Sequence, residues 1–187
     1  MSTTEAFVID VRSLPRRAGS MTELHRTDVS DTRIGAEMVG IEAGTPVELD
    51  VRLESVSEGV LVTGTVRAET RGQCARCLDP ITGEVNLFLT ELFAYPDSET
   101  DQTTDDEDVE RIVDEQIALE QTIIDAVATT LPLSPLCRED CPGLCPECGV
   151  KLADAGPDHG HDLIDPRWAG LAKFAGETPE ADGQGKA

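Results

Sequence analysis

Apolar and polar residues alternate along several stretches of the first half of the chain. In TPVELDVRLESV, residues 45–56, every second residue from Val47 to Leu53 is apolar, and GVLVTGTVRAET, residues 59–70, continues this pattern after a short turn. A period of two is typical of a strand with one buried face, so the two stretches predict a hairpin. The alternation returns over residues 80–95, which predicts a third antiparallel strand. FVIDV near the N-terminus and residues 21–29 are weaker strand candidates.

The period changes in the second half, where apolar residues between Ile112 and Leu131 recur every three or four positions. This spacing predicts an amphipathic helix over roughly residues 116–130, ended by Pro132, with its apolar stripe packed on the sheet. Aromatic residues make up only 3% of the chain, so the core must consist mainly of Val, Leu and Ile, with Phe88 and Phe93 as the expected large fillers. The predicted class is α+β: an antiparallel β-sheet or partial barrel packed by one amphipathic helix.

Composition divides the chain into five predicted segments. Residues 96–110, PDSETDQTTDDEDVE, contain no basic residue, and the residues after Phe174 are small and polar. Such sequences bury too little apolar surface to fold independently. The segments are a β-rich domain (1–95), an acidic flexible loop (96–110), a helical segment packing on the sheet (111–136), a cysteine- and histidine-containing zinc-binding segment (137–174) and a disordered tail (175–187).

The chain is strongly acidic, with a formal net charge of −22 from 15 basic and 37 acidic residues. Binding to a nucleic-acid backbone needs cations facing the phosphates, so a broad RNA-coating role is excluded. The acidic excess is concentrated in residues 91–187, and any RNA contact is therefore expected in the first half. The candidates for RNA or partner contact are Arg12, Arg16, Arg17, Arg71 and Arg76.

The cellular compartment decides how the six cysteines are interpreted. No apolar run approaches the length of a membrane span, and the N-terminal residues lack the pattern of a secretory signal, so we expect a cytoplasmic protein. Thiols in a reducing compartment rarely persist as structural disulfides. Metal binding is therefore the leading interpretation of the cysteines.

The cysteines and two histidines are spaced as metal ligands. Cys-x-x-Cys pairs are the commonest half-sites of structural zinc, and two occur here, the second followed by a glycine that readily adopts a positive φ. Cys137 and Cys141 form a looser pair, and His159-Gly160-His161 supplies two imidazoles. The eight candidate ligands are Cys74, Cys77, Cys137, Cys141, Cys145, Cys148, His159 and His161.

Two arrangements of these ligands are open. In the first, Cys145, Cys148, His159 and His161 form one local site, and the other four cysteines form a long-range site that ties the sheet to the segment after the helix. In the second, the four cysteines of residues 137–148 bind one ion together, and Cys74 and Cys77 remain a reduced or redox-active pair. The sequence thus predicts one or two Zn²⁺ ions.

A structural role for the metal is favoured over a catalytic one. A structural zinc provides about 10–16 kcal/mol of apparent binding energy, whereas a whole domain is stable by only about 5–15 kcal/mol. The C-terminal segment is short and poor in aliphatic residues, so we expect it to depend on its ion. The chain lacks a glycine-rich phosphate loop, a G-x-S-x-G elbow and an H-E-x-x-H motif, so it is predicted not to be an enzyme and no small-molecule substrate is expected.

Four stretches resemble the YceD-like family, which is associated with accumulation of large-subunit ribosomal RNA in bacteria and plastids. They are DVRSLPRRAGSM from Asp10, RGQCARCLDPI from Arg71, LPLSPLCREDCPGLCPECGVKL from Leu131 and IDPRWAGL from Ile164. Members with this cysteine-rich end often have Cys-x-Cys where this chain has His159-Gly160-His161. The exchange keeps ligand chemistry at these positions.

The resemblance implies a non-enzymatic role in synthesis, processing or stability of 23S ribosomal RNA and in assembly of the large subunit. The implied partner is a large-subunit precursor, contacted through its RNA, through a basic ribosomal protein, or both. Two alternatives remain open. One is an acidic zinc-stabilised interaction module that shields a basic ribosomal protein, and the other is a zinc and thiol redox switch.

Overall fold

The computed structural model describes residues 6–98 and 110–161, together with Arg167 and Gly170. The chain divides into two compact units, Met1–Gly143 and Leu144–Ala187. The secondary structure of the described residues consists of β1 (Val8–Asp10), β2 (Met21–Val29), β3 (Ile34–Gly35), β4 (Val39–Ile41), β5 (Pro46–Ser55), β6 (Gly59–Gln73), β7 (Pro80–Ala94), β8 (Gln116–Ala118) and α1 (Glu120–Thr130).

The first unit is built on an antiparallel sheet in which β6 is the central strand. Its order is β2-β5-β6-β4-β3, and β7 pairs with β6 along the full length of both strands. The predicted hairpin and third strand are confirmed, as are the two weaker strand candidates. β1 and β8 form a separate two-stranded sheet. The α+β class, an antiparallel half-barrel packed by one helix, is thereby confirmed.

The core lies on the face of the sheet where the alternating Val and Leu residues of β5, β6 and β7 meet. Leu49 pairs with Val66, which pairs in turn with Leu87, and all three are buried. Phe93 is fully buried as expected, but the prediction for Phe88 is wrong, because this side chain is 68% exposed. Phe88 follows the inward-facing Leu87, so the period of two turns it to the other face.

The helix was predicted to begin four residues too early. Residues 116–118 form β8, which pairs antiparallel with β1, and α1 begins only at Glu120. Ile117 is fully buried and fits a period of two as well as a period of three or four, which explains the error. α1 ends at Thr130, before Pro132, and its buried residues Ile123 and Val127 lie on the side that packs against β7 and β3.

Parts of the predicted segmentation lie outside the described residues. These are residues 1–5 of the β-rich domain, residues 99–109 of the acidic loop, most of residues 162–174 of the zinc-binding segment and the tail at 175–187. Cys137 and Cys141, which were assigned to the C-terminal segment, belong to the first compact unit. No helix in the described part of the chain is long and apolar enough to cross a membrane.

Candidate metal centres

The first Cys-x-x-Cys pair occupies the turn between β6 and β7. β6 ends at Gln73 and β7 begins at Pro80, so Cys74 and Cys77 are held at one end of the longest hairpin. The amide of Cys74 donates to the carbonyl of Asp79 at 2.8 Å, and the amide of Leu78 donates to the carbonyl of Cys74 at 2.9 Å. Leu78 adopts a φ of 61°, an unusual conformation for a branched residue. These bonds form a tight knuckle that turns both thiols to one side.

The second pair forms a knuckle with the same main-chain bonds. The amide of Cys145 donates to the carbonyl of Val150 at 2.8 Å, and the amide of Gly149 donates to the carbonyl of Cys145 at 2.9 Å. Gly149 has a φ of 72°, which confirms the predicted use of a glycine at this turn. When the two Cys-x-x-Cys sequences are aligned by their cysteines, Leu78 takes the position of Gly149. That sequence correspondence would have revealed the left-handed conformation of Leu78.

Four cysteine side chains of the first unit converge around the first knuckle, and we call them the first cluster: Cys74, Cys77, Cys137 and Cys141. Their sulfurs all lie within 4.8 Å of one another. The Sγ atoms of Cys74 and Cys141 are 3.8 Å apart, and those of Cys77 and Cys137 are 3.7 Å apart. All four are free thiols, and all except Cys137 are buried. The cluster could hold a metal ion.

Hydrogen bonds from the first knuckle fix the segment that follows α1. The amide of Ala75 donates to the carbonyl of Pro135 at 2.8 Å. The guanidinium of Arg76 donates from Nη1 to the carbonyl of Cys141 at 2.9 Å and to that of Glu139 at 3.5 Å. Arg76 therefore positions the loop that carries Cys137 and Cys141, a role that the sequence did not indicate.

Close packing against the backbone of Arg76 also restricts the residue at position 143. Gly143 has a φ of 82°, and a Cβ built on it would lie 3.2 Å from the carbonyl oxygen of Arg76. Glycine is the residue that combines this positive φ with so close an approach. The loop thus leaves the first cluster along a path that a larger residue would strain.

The electrostatics of the first cluster favour capture of a cation. Burial opposes ionisation of Cys74, but backbone hydrogen bonds at Cys137, Cys77 and Arg76 outweigh it and lower the pKa of Cys74 to about 6. Hydrogen bonding at the backbone of Asp79 favours the Cys77 thiolate, yet burial and the neighbouring thiols raise the pKa of Cys77 to about 12. One thiolate forms readily while a second is opposed by its neighbours, so accumulation of negative charge requires a compensating cation.

The second unit contains a second cluster, formed by Cys145, Cys148, His159 and His161, whose ligand atoms also lie within 4.8 Å of one another. The Sγ of Cys148 is 3.6 Å from Nε2 of His159, which is 3.3 Å from Nε2 of His161. The amide of Cys148 and the ring of His159 lower the pKa of Cys145 to about 6. This cluster could also hold a metal ion, and the two groups are those of the first predicted arrangement.

The arginines predicted to contact RNA are mostly engaged within the protein. Three of them pair with carboxylates: Arg12 with Asp10 and Glu115, Arg16 with Asp97, and Arg71 with Glu69. The guanidinium of Arg16 also lies 4.7 Å from the ring centre of Tyr95. Arg76 is bonded to carbonyls near the first cluster, and Arg17 is exposed with no ion pair to a described residue. Within the described residues, the five arginines therefore do not form a basic patch of unpaired side chains.

One of the comparisons with known proteins indicates a family, and another finds similar mycobacterial proteins. The family model described as "Large ribosomal RNA subunit accumulation protein YceD" matches residues 62–175, more than half of the chain. Uncharacterized proteins of Mycobacterium bovis and Mycobacterium tuberculosis are 60% identical to the chain over 93% of its length and 83% of theirs. A Mycobacterium leprae protein is 51% identical, over 94% of the chain and 82% of its own length. No solved structure gives a significant match.

Proposed function

The chain belongs to the YceD family of large ribosomal RNA subunit accumulation proteins, and from this premise we propose that it is a zinc-stabilised, non-enzymatic factor for 23S ribosomal RNA. Its role would lie in synthesis, processing or stability of that RNA during assembly of the large subunit in the cytoplasm. The family match across both clusters is the observation that carries the proposal.

Distances between ligand atoms support zinc as the bound metal. Zn–S bonds of about 2.3 Å in a tetrahedron separate two sulfurs by about 3.8 Å, and Zn–N bonds of about 2.05 Å separate two nitrogens by about 3.3 Å. A sulfur and a nitrogen would lie about 3.6 Å apart on the same basis. The corresponding separations here are 3.8 and 3.7 Å between sulfurs, 3.3 Å between the two imidazole nitrogens and 3.6 Å for the mixed pair. These four separations match those expected around a tetrahedral zinc, and all ligand atoms of each set lie within 4.8 Å of one another.

The ions would have a structural role, because each cluster offers four protein ligands. Four-coordinate closed sites are typical of structural zinc, whereas catalytic zinc keeps one position for water or substrate. In the first unit, the ion would join the end of the β6–β7 hairpin to the loop after α1. Few apolar residues are buried in the described part of the second unit, so the ion would supply most of its stability.

The charge distribution argues that the chain meets its ribosomal partner over a limited area. A chain with a net charge of −22 is repelled by an extended phosphate backbone, and four of the five candidate arginines already have protein acceptors. The contact would thus be made either with a short exposed RNA segment or with a basic protein of the precursor. Both belong to the same large-subunit particle.

Deletion of the gene and complementation by variants test the proposal. We expect deletion to lower mature 23S RNA relative to 16S RNA, and the tagged protein to sediment with precursors of the large subunit. Cys74→Ser should fail to restore 23S RNA, whereas Glu84→Gln, an exposed substitution on β7 outside both clusters, should restore it. Normal ribosome profiles after deletion, or a protein that never sediments with the precursors, would refute the ribosomal role.

The two alternatives make separate predictions. A module that shields a basic ribosomal protein without RNA would bind that protein in a salt-sensitive manner after nuclease treatment. A redox switch would lose its metal and form a reversible Cys74–Cys77 disulfide under mild oxidation. Metal retained through that treatment would exclude the switch.

A further inference from the structure

A groove of about 560 Å³ lies between β7 and α1 within the first unit, and no residue of the first cluster lines it. Phe88, Leu89, Thr90 and Glu91 form the wall on the strand. The α1 residues on the opposite side are Gln121, Thr122, Asp125, Ala126 and Thr129. β7 pairs with β6 on one side, so the groove follows the other edge of the strand. A strand edge beside a helix is a geometry in which proteins bind extended peptides.

Main-chain groups of β7 point to this edge. In an antiparallel strand the main-chain groups of successive residues face the two sides alternately. Ala94 faces away from β6, because its N–H donates to the carbonyl of Glu110 at 2.8 Å and its C=O accepts from the amide of Ile112 at 2.9 Å. The register with β6 runs unbroken along β7, so Phe88 and Thr90 direct their main-chain groups the same way. Within the part of the chain that the structure describes, these groups have no main-chain partner on that side.

The groove is negatively charged. Glu91, Glu110 and Asp125 are among its lining residues, which include no Lys, Arg or His. No ion pair joins these three carboxylates to another described residue. The three lining carboxylates favour a cationic occupant. They disfavour residues 99–109 of the chain itself as the occupant, because that stretch has six acidic residues and no basic one.

Glu91 stands out because it interrupts an apolar register. Val85, Leu87, Leu89 and Phe93 are buried on the same face of β7, and Glu91 takes the position between the last two. Burial, together with the nearby charge of Glu110, raises the pKa of Glu91. The negative charge of the Glu91 carboxylate is thus poorly stabilised by the chain itself, and a cation bound in the groove would stabilise it.

Phe88 supplies the apolar part of the groove. Its side chain is 68% exposed. An exposed ring of this kind can pack against an aliphatic side chain or accept a guanidinium on its face. It therefore fits a segment that mixes basic and apolar residues.

We propose that the groove binds an extended, lysine- or arginine-rich segment of a partner protein, which adds to the edge of β7 as a further strand. Four residues of β7 span about 13 Å, so about four residues of the segment would be in contact. Main-chain bonds to Phe88 and Thr90 hold the segment, and its basic side chains face Glu91, Glu110 and Asp125. The proposal does not depend on the ribosomal role, because the purified chain is sufficient to test it.

Calorimetric titration with an acetylated and amidated octapeptide of alternating Lys and Val tests the proposal at low ionic strength. We expect saturable one-to-one binding, and none by the matching Glu-Val peptide. Two further peptides carry N-methyl groups on alternate residues, one on each edge of the strand. Because only one edge can pair with β7, one of them should bind like the parent and the other at least roughly tenfold more weakly.

Two protein variants separate the groove from the overall charge of the chain. Glu91→Gln should weaken binding of the Lys-Val peptide roughly threefold, whereas Glu84→Gln, which removes the same charge from β7 outside the groove, should leave it unchanged. Absence of binding at millimolar peptide, equal affinity of both N-methylated peptides, or equal effects of the two substitutions would overturn the proposal.

Discussion

Replacing Gly149 with alanine would test whether knuckle geometry controls metal binding in the second cluster. Gly149 has a φ of 72°, and a Cβ built on it meets no atom within 4 Å. The substitution therefore introduces backbone strain without a steric clash. A left-handed conformation costs an ordinary residue about 1–2 kcal/mol, of which reduced freedom of the unfolded chain offsets about 0.4–1 kcal/mol.

A net cost of about 1 kcal/mol corresponds to a roughly fivefold loss of metal affinity, if the strain is felt only when the knuckle is formed. The matched control is Gly156→Ala, because Gly156 lies in the same unit, has open space around it and is not in the left-handed region. Zinc affinity would be measured by chelator competition, and Co²⁺ absorption would distinguish the four-thiolate cluster from the mixed one.

We expect Gly149→Ala to weaken the second cluster about fivefold and to leave the first cluster unchanged. Gly156→Ala should affect neither. Equal affinities for the two variants would refute the assignment of Gly149 to a metal-binding knuckle, and an equal loss at both clusters would show that the effect is not local.

Three further outcomes follow from the structure. Arg76→Ala should lower the metal affinity of the first cluster about tenfold, because the carbonyl of Cys141 loses a charged donor. Arg71→Ala should leave that affinity unchanged, since Arg71 pairs with Glu69. Chelator competition would measure both variants. The pKa of Cys77 is raised to about 12 and the pKa of Cys137 is also raised, so both thiols are protonated near neutral pH and must lose their protons on binding metal. Zinc affinity of the first cluster should therefore rise at least roughly a hundredfold per pH unit between pH 6.5 and 8.5, and a flat profile would contradict the proton count. The pKa of Glu91 is raised in the folded state, so ionisation of this group destabilises the folded state at neutral pH and the effect disappears in acid. Glu91→Gln should therefore slightly increase Tm at pH 7 and have a smaller effect near pH 4. A lower Tm at pH 7 would contradict this sign.

The strands could be predicted because their side chains follow the same period as the pleat. Val47 to Leu53 alternate strictly, and the buried face of β5 reproduces that alternation. Ile117 shows where the pattern is insufficient. It satisfies both periods, and pairing of β8 with β1, about one hundred residues away in sequence, decides between them.

The ligands could be identified from spacing, but their grouping could not. Cys74 and Cys141 are 67 residues apart, and sequence alone left two arrangements open. The contacts of Arg76 were also beyond prediction, because its acceptors are carbonyls that any residue provides. Glu91 could have been recognised, since it is the polar residue in an otherwise apolar alternation on β7.

The groove beside β7 was likewise not predictable from the pattern of residues. An exposed Phe88 and a half-buried Glu91 acquire meaning only when the strand edge and α1 are placed side by side. Local periodicity describes one strand at a time, whereas this surface depends on which strand lies at the end of the sheet.

The most direct measurement of the central claim is the zinc content of the purified chain, prepared with zinc under reducing conditions. We predict two ions per chain, and one in each of the variants Cys74→Ser and Cys148→Ser, which each remove one ligand of a different cluster. A fully folded wild-type chain without bound metal would contradict the claim that the two clusters are structural zinc sites.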